Sequence, residues 1–286
     1  ICLGNKKLLD IVGTGGDGAD TINISTASAI LSAACGCIVA KAGNRSVSSK
    51  CGSADVLESI GIKIGMSPEE VEKCINKCNI GFMFAPINHP AMKHVAPVRR
   101  SLGIRTVFNI LGPMTNAASA QHVVIGVFEK NLVELMAQSL MKVGNVEHGV
   151  VIHGCGLDEL SPLGPSTVYE IKNMAPIGSP KRYKTSKFLL EPKRFGIKRC
   201  KVEELKGGDP EQNVQELKDV LSGLKSVSNN AKRDSVVLNA GMGNYVYGRS
   251  NSVKAGVELA RRTLESGLAK QKLEEWIDAS NASESQ

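Results

Sequence analysis

The chain has 286 residues, of which 42% are hydrophobic, 22% charged and 4% aromatic. This apolar content supports a packed core in one large domain or two unequal ones, and it excludes a globally disordered chain. Thirty-five Lys and Arg residues against 28 Asp and Glu residues give a net charge of +7, which suits an anionic partner without selecting a particular class.

Short apolar runs typical of strands alternate with helical patterns over the first half of the chain. The first run ends in a glycine-rich loop, after which Ala27, Ile30 and Ala34 share one face of a predicted helix. Ser67-Pro68-Glu69-Glu70 combines an N-cap, a proline in the first turn and two acids at the positive end of another helix. The predicted strands are 8–12, 37–41, 80–85, 122–128 and 149–153, and predicted helices include 53–61 and 131–143.

The remaining segments are less regular. Residues 88–113 have a mainly helical pattern, whereas residues 164–206 alternate irregularly and predict strands and loops. From residue 209 onward the pattern is helical, and Val253, Val257 and Leu264 lie on one apolar stripe. The polar tail, residues 279–286, is predicted to fray.

Strands that alternate with helices predict an α/β fold with a mostly parallel central sheet flanked by helices. Such sheets bind their ligands beyond the carboxyl ends of the strands. Several polar loops fall at these ends, so we expect them to form one site.

The first of these loops is Asp10-Ile-Val-Gly-Thr-Gly-Gly-Asp17-Gly18, between a predicted strand and a helix. Glycines such as Gly13 and Gly16 let a ligand approach the backbone, whose N–H groups can bind phosphate oxygens. The spacing matches neither the dinucleotide-binding fingerprint nor the Walker loop. Because Asp17 would repel a phosphate, we predict that it accepts hydrogen bonds from hydroxyls or from the water shell of a metal.

Two further loops are rich in hydrogen-bond donors. Thr21-Ile-Asn-Ile-Ser-Thr26 places more small polar side chains at a helix N-terminus than capping requires. The segment from Lys41 to Ser53 carries two lysines, one arginine, one asparagine and four serines, a set suited to a polyanionic phosphate group. Both loops are predicted to hold an anion, with ordinary capping and a solvated basic loop as the simpler alternatives.

An adjacent acidic pair, Asp158 and Glu159, follows the last of the five predicted strands. Mg²⁺ takes carboxylate oxygens together with substrate phosphates. Adjacent acids alone usually belong to a solvated turn. Beside three donor-rich loops, this pair predicts a metal site.

The segment between the third and fourth predicted strands carries Asn88-His89-Pro90, Arg99-Arg100 and, further on, Pro113. The arginines could hold a carboxylate through paired hydrogen bonds. Single arginines are more often solvated helix residues, and a histidine such as His89 is more often structural than catalytic.

Cysteines and hydropathy bear on the compartment. The eight cysteines lack zinc-site spacing, and a chain of this length needs no disulfides, so we expect free thiols in a reducing compartment. No apolar stretch is long enough to span a bilayer and no N-terminal signal pattern is present, so no membrane partner is expected.

Several of these blocks occur together in the order of one known family. The chain resembles the anthranilate phosphoribosyltransferases of tryptophan biosynthesis, which transfer the phosphoribosyl group of 5-phosphoribosyl 1-pyrophosphate (PRPP) to the amine of anthranilate. The segments that carry the resemblance cover most of residues 8–161: DIVGTGGDG, TINIST, KAGNRSVSSKCGSADVLESIG, NIGFMFAP, NHPAMKHVAPVRRSLGIRTVFNILGP and GLDELS.

The resemblance implies a fold of the nucleoside phosphorylase/phosphoribosyltransferase type, with a smaller helical domain and a homodimer. On this basis residues 1–87 and 116–286 are the two parts of the α/β domain, and residues 88–115 are a portion of the helical domain. PRPP and anthranilate are the implied substrates and Mg²⁺ is the implied cofactor.

The resemblance also implies roles for individual residues. Mg²⁺ is implied to contact Ser25, Asp158 and Glu159. No residue is assigned as a general base, because an aniline nucleophile needs positioning more than deprotonation. The residues implied to bind anthranilate are Gly13, Asn44, His89, Arg99 and Pro113. Those assigned to PRPP, by the resemblance and by their place in the donor-rich loops, are Gly13, Gly16, Asp17, Thr21, Asn23, Ile24, Ser25, Thr26, Lys41, Asn44, Arg45, Ser46, Ser48, Ser49 and Ser53.

Two features depart from the family. Ala42 stands where most members have a histidine, which is expected to loosen the contact with anthranilate but not with phosphate. The glycine block begins at Gly13, whereas family members have several helices before it, so we expect a trimmed or incomplete chain whose dimerisation and activity are affected. The segment LSPLGPS is similar to plant and algal members, so the expected compartment is the cytoplasm or the plastid stroma.

Two alternatives compete with this interpretation. A pyrimidine nucleoside phosphorylase shares the fold type and the glycine loops, but the KAGNRSVSS loop and the acidic pair favour the transferase. A nucleic-acid-binding protein on the same scaffold is compatible with the positive charge. It is disfavoured because aromatic residues for base stacking are few and the lysines are spread along the chain.

Overall fold

The computed structural model describes residues 1, 3–4, 6–46, 49–92, 94–95, 101, 106–176, 178–224 and 230–282. Strands and helices alternate as far as residue 153, and a hairpin and four longer helices follow. The strands are β1 (Leu9–Gly13), β2 (Val39–Gly43), β3 (Ile80–Phe84), β4 (His122–Gly126), β5 (His148–His153), β6 (Ser166–Asn173) and β7 (Tyr183–Leu190).

Most of the longer helices bury either one apolar face or most of their length, and several have an N-cap side chain that accepts a backbone N–H. The helix at Pro68–Cys78 begins with a capping box, in which the Ser67 side chain accepts from the Glu70 N–H and the Glu70 carboxylate accepts from the Ser67 N–H. The α-helices are α1 (Ile24–Ala34), α2 (Ser53–Ser59), α3 (Pro68–Cys78), α4 (Ala85–Asn88), α5 (Phe108–Leu111), α6 (Leu132–Val143), α7 (Pro210–Leu221), α8 (Asn230–Tyr247), α9 (Val253–Glu265) and α10 (Leu268–Asn281), and 3₁₀ helices span Gly112–Met114, Pro192–Phe195 and Val202–Leu205.

All seven strands form one sheet in the order β3-β2-β1-β4-β5-β6-β7. The first five are mutually parallel, and the β6–β7 hairpin adds two antiparallel strands at one edge. Strands β1 to β3 extend the sheet in one direction and β4 to β7 extend it in the other. The strand order therefore reverses between β1 and β4, where Gly13 is paired with Gly126, and ligands bind open α/β sheets at such a reversal.

The mostly parallel α/β fold predicted from the alternation of elements is confirmed, and each of the five predicted strands lies within two residues of an observed one. The irregular region 164–206 contains the hairpin and two 3₁₀ helices. The predicted fraying of the tail is wrong as far as Asn281, because α10 continues to that residue. Ser280 is buried there and its hydroxyl accepts from the Lys63 N–H.

The region between β3 and β4 is only partly described. Its described residues include the short helices α4 and α5 and the 3₁₀ turn Gly112–Met114, which agree with a mainly helical pattern. Arg99 and Arg100 lie outside the described residues. The division at residues 88 and 115 into an α/β domain and a helical domain stays a prediction.

Helix α8 is the central element of the core. It is buried along most of its length and packs against α1, α9 and the strands of the sheet. Asn239 of α8 donates to the Leu160 carbonyl at 2.7 Å and accepts from the Leu160 N–H at 3.0 Å, which attaches the loop after β5 to this helix. Among the described residues, no helix is both long enough and apolar enough to cross a membrane.

The loop that carries the acidic pair also packs directly on the end of β4. A Cβ atom added at Gly126 would lie 1.5 Å from the carbonyl oxygen of Asp158, so only glycine leaves room for that loop.

We expect Gly126→Ala to lower the free energy of unfolding by about 3 kcal/mol, because backbone rather than a flexible side chain would have to move. Urea denaturation measures this loss. Gly65→Ala is the matched control, since nothing lies within 4 Å of its added Cβ. A change at Gly126 as small as that at Gly65 would contradict the packing described here.

Candidate active site

Polar groups from four segments meet beyond the carboxyl ends of the parallel strands. The glycine loop follows β1, Lys41 lies on β2, Ser25 lies at the start of α1 and the acidic pair follows β5. The Gly15 N–H donates to the Asp158 carboxylate at 2.6 Å, and the Lys41 ammonium donates to the Ser25 hydroxyl at 3.4 Å. The structure thus brings together the glycine loop, the start of α1, Lys41 and the acidic pair, as the sequence predicts.

The glycine loop can take its path only because Gly13, Gly15 and Gly16 have no side chains. A Cβ atom at Gly13 would lie 2.2 Å from Oδ2 of Asp158. Gly15 and Gly16 have φ values of 68° and 80°, which L-residues with side chains rarely adopt. The backbone N–H of Gly15 is therefore turned onto the acidic pair, while the Asp17 carboxylate accepts from the Ala19 N–H at 3.1 Å.

The ammonium group of Lys41 is buried, with 1% of the residue exposed. It donates to the Ile11 carbonyl at 2.8 Å in addition to Ser25. Burial lowers the pKa of Lys41, while the negative charges of Asp10, Glu159 and Asp158 act to raise it. A buried charge of this kind persists only with hydrogen bonds and opposite charges around it.

The two acids after β5 are buried as well. Burial and the nearby charge of Asp17 raise the pKa of Asp158 to about 7. Burial and the charge of Asp158 raise the pKa of Glu159 well above its ordinary value, against the attraction of Lys41 and a hydrogen bond from Ser25. The acids therefore outnumber the cation beside them, and the site favours an additional positive charge.

The residues present fit a magnesium ion. Asp158, Glu159 and Ser25 supply the hard oxygen ligands that Mg²⁺ prefers. Within the described part of the chain, no three His, Cys, Asp or Glu side chains form a complete cage. Two carboxylates and a hydroxyl, with Asp17 hydrogen-bonded to Asp158, suit an ion that keeps several waters and shares substrate phosphates.

The start of α1 presents small polar side chains beside this cluster. Asn23 donates to the Cys51 carbonyl at 3.1 Å, which connects α1 to the loop after β2. Among the described residues, Oδ1 of Asn23 and the hydroxyl of Thr26 are buried with no hydrogen-bond partner. Such groups are costly unless a ligand or water satisfies them, so they mark this end of the helix for a polar ligand. Ile24 is buried, and Thr21 forms an isolated β-bridge with Lys206.

The loop after β2 folds back onto α2. The Ser53 hydroxyl donates to the Asn44 carbonyl at 3.1 Å, and the Ser46 hydroxyl hydrogen-bonds to Ser49. The Arg45 guanidinium pairs with Asp55 at 3.0 Å and with Glu58 at 2.8 Å. Arg45 thus already has carboxylate partners, and its predicted contact with PRPP stays a prediction. Ser48 lies outside the described residues.

The residues predicted for anthranilate are only partly placed. Pro113 is buried in the 3₁₀ turn before β4, and His89 is half-buried directly after α4. Arg99 lies outside the described residues. The roles assigned to these residues stay predictions.

Sequence reasoning missed two residues that lie directly behind this site, Asp10 and Asn116. The buried Asp10 carboxylate accepts from the Ala42 N–H at 3.1 Å and from the Asn116 amide at 2.7 Å. The same Asn116 amide donates to the Ala40 carbonyl at 2.9 Å. The available signal was one carboxylate inside an otherwise apolar strand, whereas Asn116 has no local pattern that marks it.

Comparisons with known proteins agree on one family. A family model described as "Glycosyl transferase family, a/b domain" matches residues 5–270. An anthranilate phosphoribosyltransferase of Chlamydia felis (strain Fe/C-56) is 46% identical over 269 residues, which are 94% of this chain and 75% of that protein.

Solved structures show the same likeness. The crystal structure of anthranilate phosphoribosyltransferase from Thermus thermophilus matches with a TM-score of 0.86 and 44% identity over 96% of this chain and 78% of that one. The Saccharomyces cerevisiae enzyme in complex with PRPP and Mg matches with a TM-score of 0.83 and 32% identity over 96% and 74%. The region matched by the family model includes the glycine loop, Lys41 and the acidic pair.

The buried Asp10 predicts a pH-dependent stability. Burial raises the pKa of Asp10 from 3.8 to about 6, against the attraction of Lys41 and the hydrogen bonds from Asn116 and Ala42. The folded chain holds this proton more tightly than the unfolded chain does. The resulting stabilisation is complete below the ordinary pKa and is lost as pH rises through about 6.

We therefore expect the wild type to lose about 2 kcal/mol more unfolding free energy than Asp10→Asn between pH ~4.5 and ~8. Urea denaturation across this range measures the difference. Asp55→Asn is the control. Burial acts to raise the pKa of Asp55, but hydrogen bonds from Ser46, Gly52 and Arg45 outweigh it and lower that pKa. The contribution of Asp55 to the pH dependence of stability therefore lies below this pH range. Parallel curves for the wild type and Asp10→Asn would contradict the prediction.

Proposed function

Because the chain belongs to the anthranilate phosphoribosyltransferases of the glycosyl transferase family, we propose that it transfers the phosphoribosyl group of PRPP to the amine of anthranilate. The products are N-(5-phosphoribosyl)anthranilate and pyrophosphate. The observation that carries the proposal is the buried acidic pair beside Lys41, where the strand order reverses. The two alternative functions have no comparable support.

PRPP is the substrate to which most of the site is assigned. The backbone N–H groups of the glycine loop and the hydroxyls of Ser25 and Thr26 offer donors to its phosphates and ribose. Lys41 supplies the buried positive charge on the same side. The partnerless Asn23 and Thr26 oxygens support a polar ligand at this position.

Breaking the bond between C1 of the ribose and pyrophosphate leaves negative charge on the departing group. We assign Asp158, Glu159 and Ser25 to hold Mg²⁺, which when bound neutralises part of that charge. Lys41 and the donor-rich loops stabilise the rest through fixed hydrogen bonds, which cost no reorganisation during the reaction. The carboxylates themselves are oriented by the N–H of Gly15 and the hydroxyl of Ser25.

The second substrate needs orientation more than activation. The amine of anthranilate is neutral near pH 7 and attacks C1 with its lone pair as pyrophosphate leaves, and the proton then passes to solvent. We assign Gly13, Asn44, His89, Arg99 and Pro113 to anthranilate, with Arg99 positioned to pair with its carboxylate. No side chain is required as a general base.

The biological setting follows from the same family. We propose a homodimer, as the family resemblance implies. Seven cysteines of the described residues are free thiols, which supports a reducing compartment, either the cytoplasm or the plastid stroma.

We expect the double variant Asp158→Asn, Glu159→Gln to lose about a hundredfold or more in kcat/KM, because the oxygen ligands of the ion lose their charge. Loss of anthranilate fluorescence in the presence of PRPP, at increasing Mg²⁺, measures the activity. The unfolding free energy should not fall, since two buried and mutually repelling acids are removed.

The matched control is Glu134→Gln with Asp219→Asn, which removes one Glu and one Asp charge from exposed helix surfaces. This control should keep the wild-type Mg²⁺ dependence. If the acidic-pair variant also keeps it, the metal assignment is wrong. If the wild type consumes no anthranilate but cleaves thymidine or uridine with phosphate, the proposed reaction is wrong.

A further inference from the structure

Asp10 and Asn116 stand behind the site rather than in it. We propose that they form a positioning pair that holds Lys41 and the adjoining backbone of β2 in place for PRPP. The proposal rests on the proposed function, because it takes Lys41 as a ligand of that substrate.

The backbone of β2 accepts and donates hydrogen bonds on both sides of Lys41. The Asp10 carboxylate accepts from the N–H of Ala42, the residue directly after Lys41. The Asn116 amide donates to the carbonyl of Ala40, the residue directly before Lys41. The pair therefore holds the peptide groups on both sides of Lys41, in addition to the ladder bonds of the sheet.

The Lys41 side chain is hydrogen-bonded to β1 as well. Its ammonium donates to the carbonyl of Ile11, the residue directly after Asp10. Strand β1 thus contacts Lys41 at the backbone through Asp10 and at the ammonium through Ile11. The Asp10 charge also acts on the ammonium, together with the charges of the acidic pair.

Asn116 also connects Asp10 to the segment before β4. The side-chain amide of Asn116 donates to the Asp10 carboxylate at 2.7 Å. Its side-chain Oδ1 accepts from the N–H groups of Ala118 and Ala120. Pro113, three residues earlier, belongs to the set assigned to anthranilate. Asn116 is therefore the described residue that connects this segment to Asp10 and to the strand that carries Lys41.

A buried hydrogen-bonded carboxylate could also serve the fold alone, and the chain contains such a case for comparison. Glu170 of β6 is hydrogen-bonded by His148, Tyr245 and Ser186, at the opposite end of β5 from the acidic pair. None of these four residues belongs to the site. Glu170→Gln is thus a matched control that disturbs a largely buried carboxylate without touching the proposed pair.

The test compares Asp10→Asn, Asn116→Asp, the double variant that combines them, and Glu170→Gln. Asp10→Asn keeps an oxygen acceptor for the Ala42 N–H but removes the charge. Asn116→Asp keeps the acceptor for Ala118 and Ala120 but sets two carboxylates against each other. The double variant restores one donor and one acceptor between positions 10 and 116, with the charge moved to position 116, but not the bond from position 116 to the Ala40 carbonyl. It is therefore a partial rescue experiment.

We expect Asp10→Asn to lower kcat/KM for PRPP by about ten- to a hundredfold, with the KM for anthranilate changed by less than about twofold. Asn116→Asp should lose at least as much, and the double variant should regain about tenfold over Asn116→Asp. Glu170→Gln should unfold at lower urea concentration and keep the wild-type kcat/KM.

The outcomes separate the pair from the proposed reaction. If Asp10→Asn keeps its kcat/KM for PRPP while becoming less stable, or if the two single losses simply multiply in the double variant, the positioning role is wrong. If the wild type binds Mg²⁺ and PRPP without consuming anthranilate, the proposed reaction is wrong. The positioning role is then tested by the calorimetric affinities of the same variants for PRPP, and it is wrong if Asp10→Asn keeps the wild-type affinity or if the two single losses multiply. A wild type that binds no PRPP overturns both.

Discussion

The architecture of the site depends on one buried ammonium group. Lys41 has lost nearly all contact with water, and burial lowers the pKa of its ammonium, while the charges of the nearby carboxylates act to raise it. The Ile11 carbonyl and the Ser25 hydroxyl replace water as its hydrogen-bond partners. The negative charge around it exceeds its own. Burial first, and then the charges of neighbouring acids, raise the pKa values of Asp158 and Glu159. This concentration of acidic groups is the reason for proposing a divalent cation at the site.

The fold delivers these groups through strand topology and small residues. Parallel strands place their carboxyl ends at one edge, and the reversal of order between β1 and β4 opens a space there. Gly13 and Gly126 let the acidic loop settle onto the ends of these two strands, at distances that a methyl group would prevent. Asn239 holds the same loop from α8. The acids are therefore positioned by backbone packing against glycines and by the buried side-chain amide of Asn239.

Local patterns predicted the fold class and the meeting of the polar loops, because strand periodicity, glycine-rich turns and adjacent acids are visible in short windows. The role of Lys41 was visible only in part: its loop was predicted to bind an anion, but its complete burial depends on Asp10 and Ile11 in another strand. The Asp10–Asn116 contact joins residues 106 positions apart, and no local pattern encodes such a separation. The sequence also wrongly predicted fraying from residue 279, because the hydrogen bond between Ser280 and the Lys63 N–H keeps this polar segment in the last helix.

The site depends on the electrostatic attraction between the Lys41 ammonium and the carboxylates around it. The most direct test of this attraction is a ¹³C NMR titration of the Asp10 carboxyl group in the wild type and in Lys41→Met, a variant of similar size without the charge. We predict that the pKa of Asp10 is about 6 in the wild type and higher in the variant, because the attraction of Lys41 is lost. An Asp10 pKa near the ordinary 3.8, or one that is the same in both proteins, would contradict it.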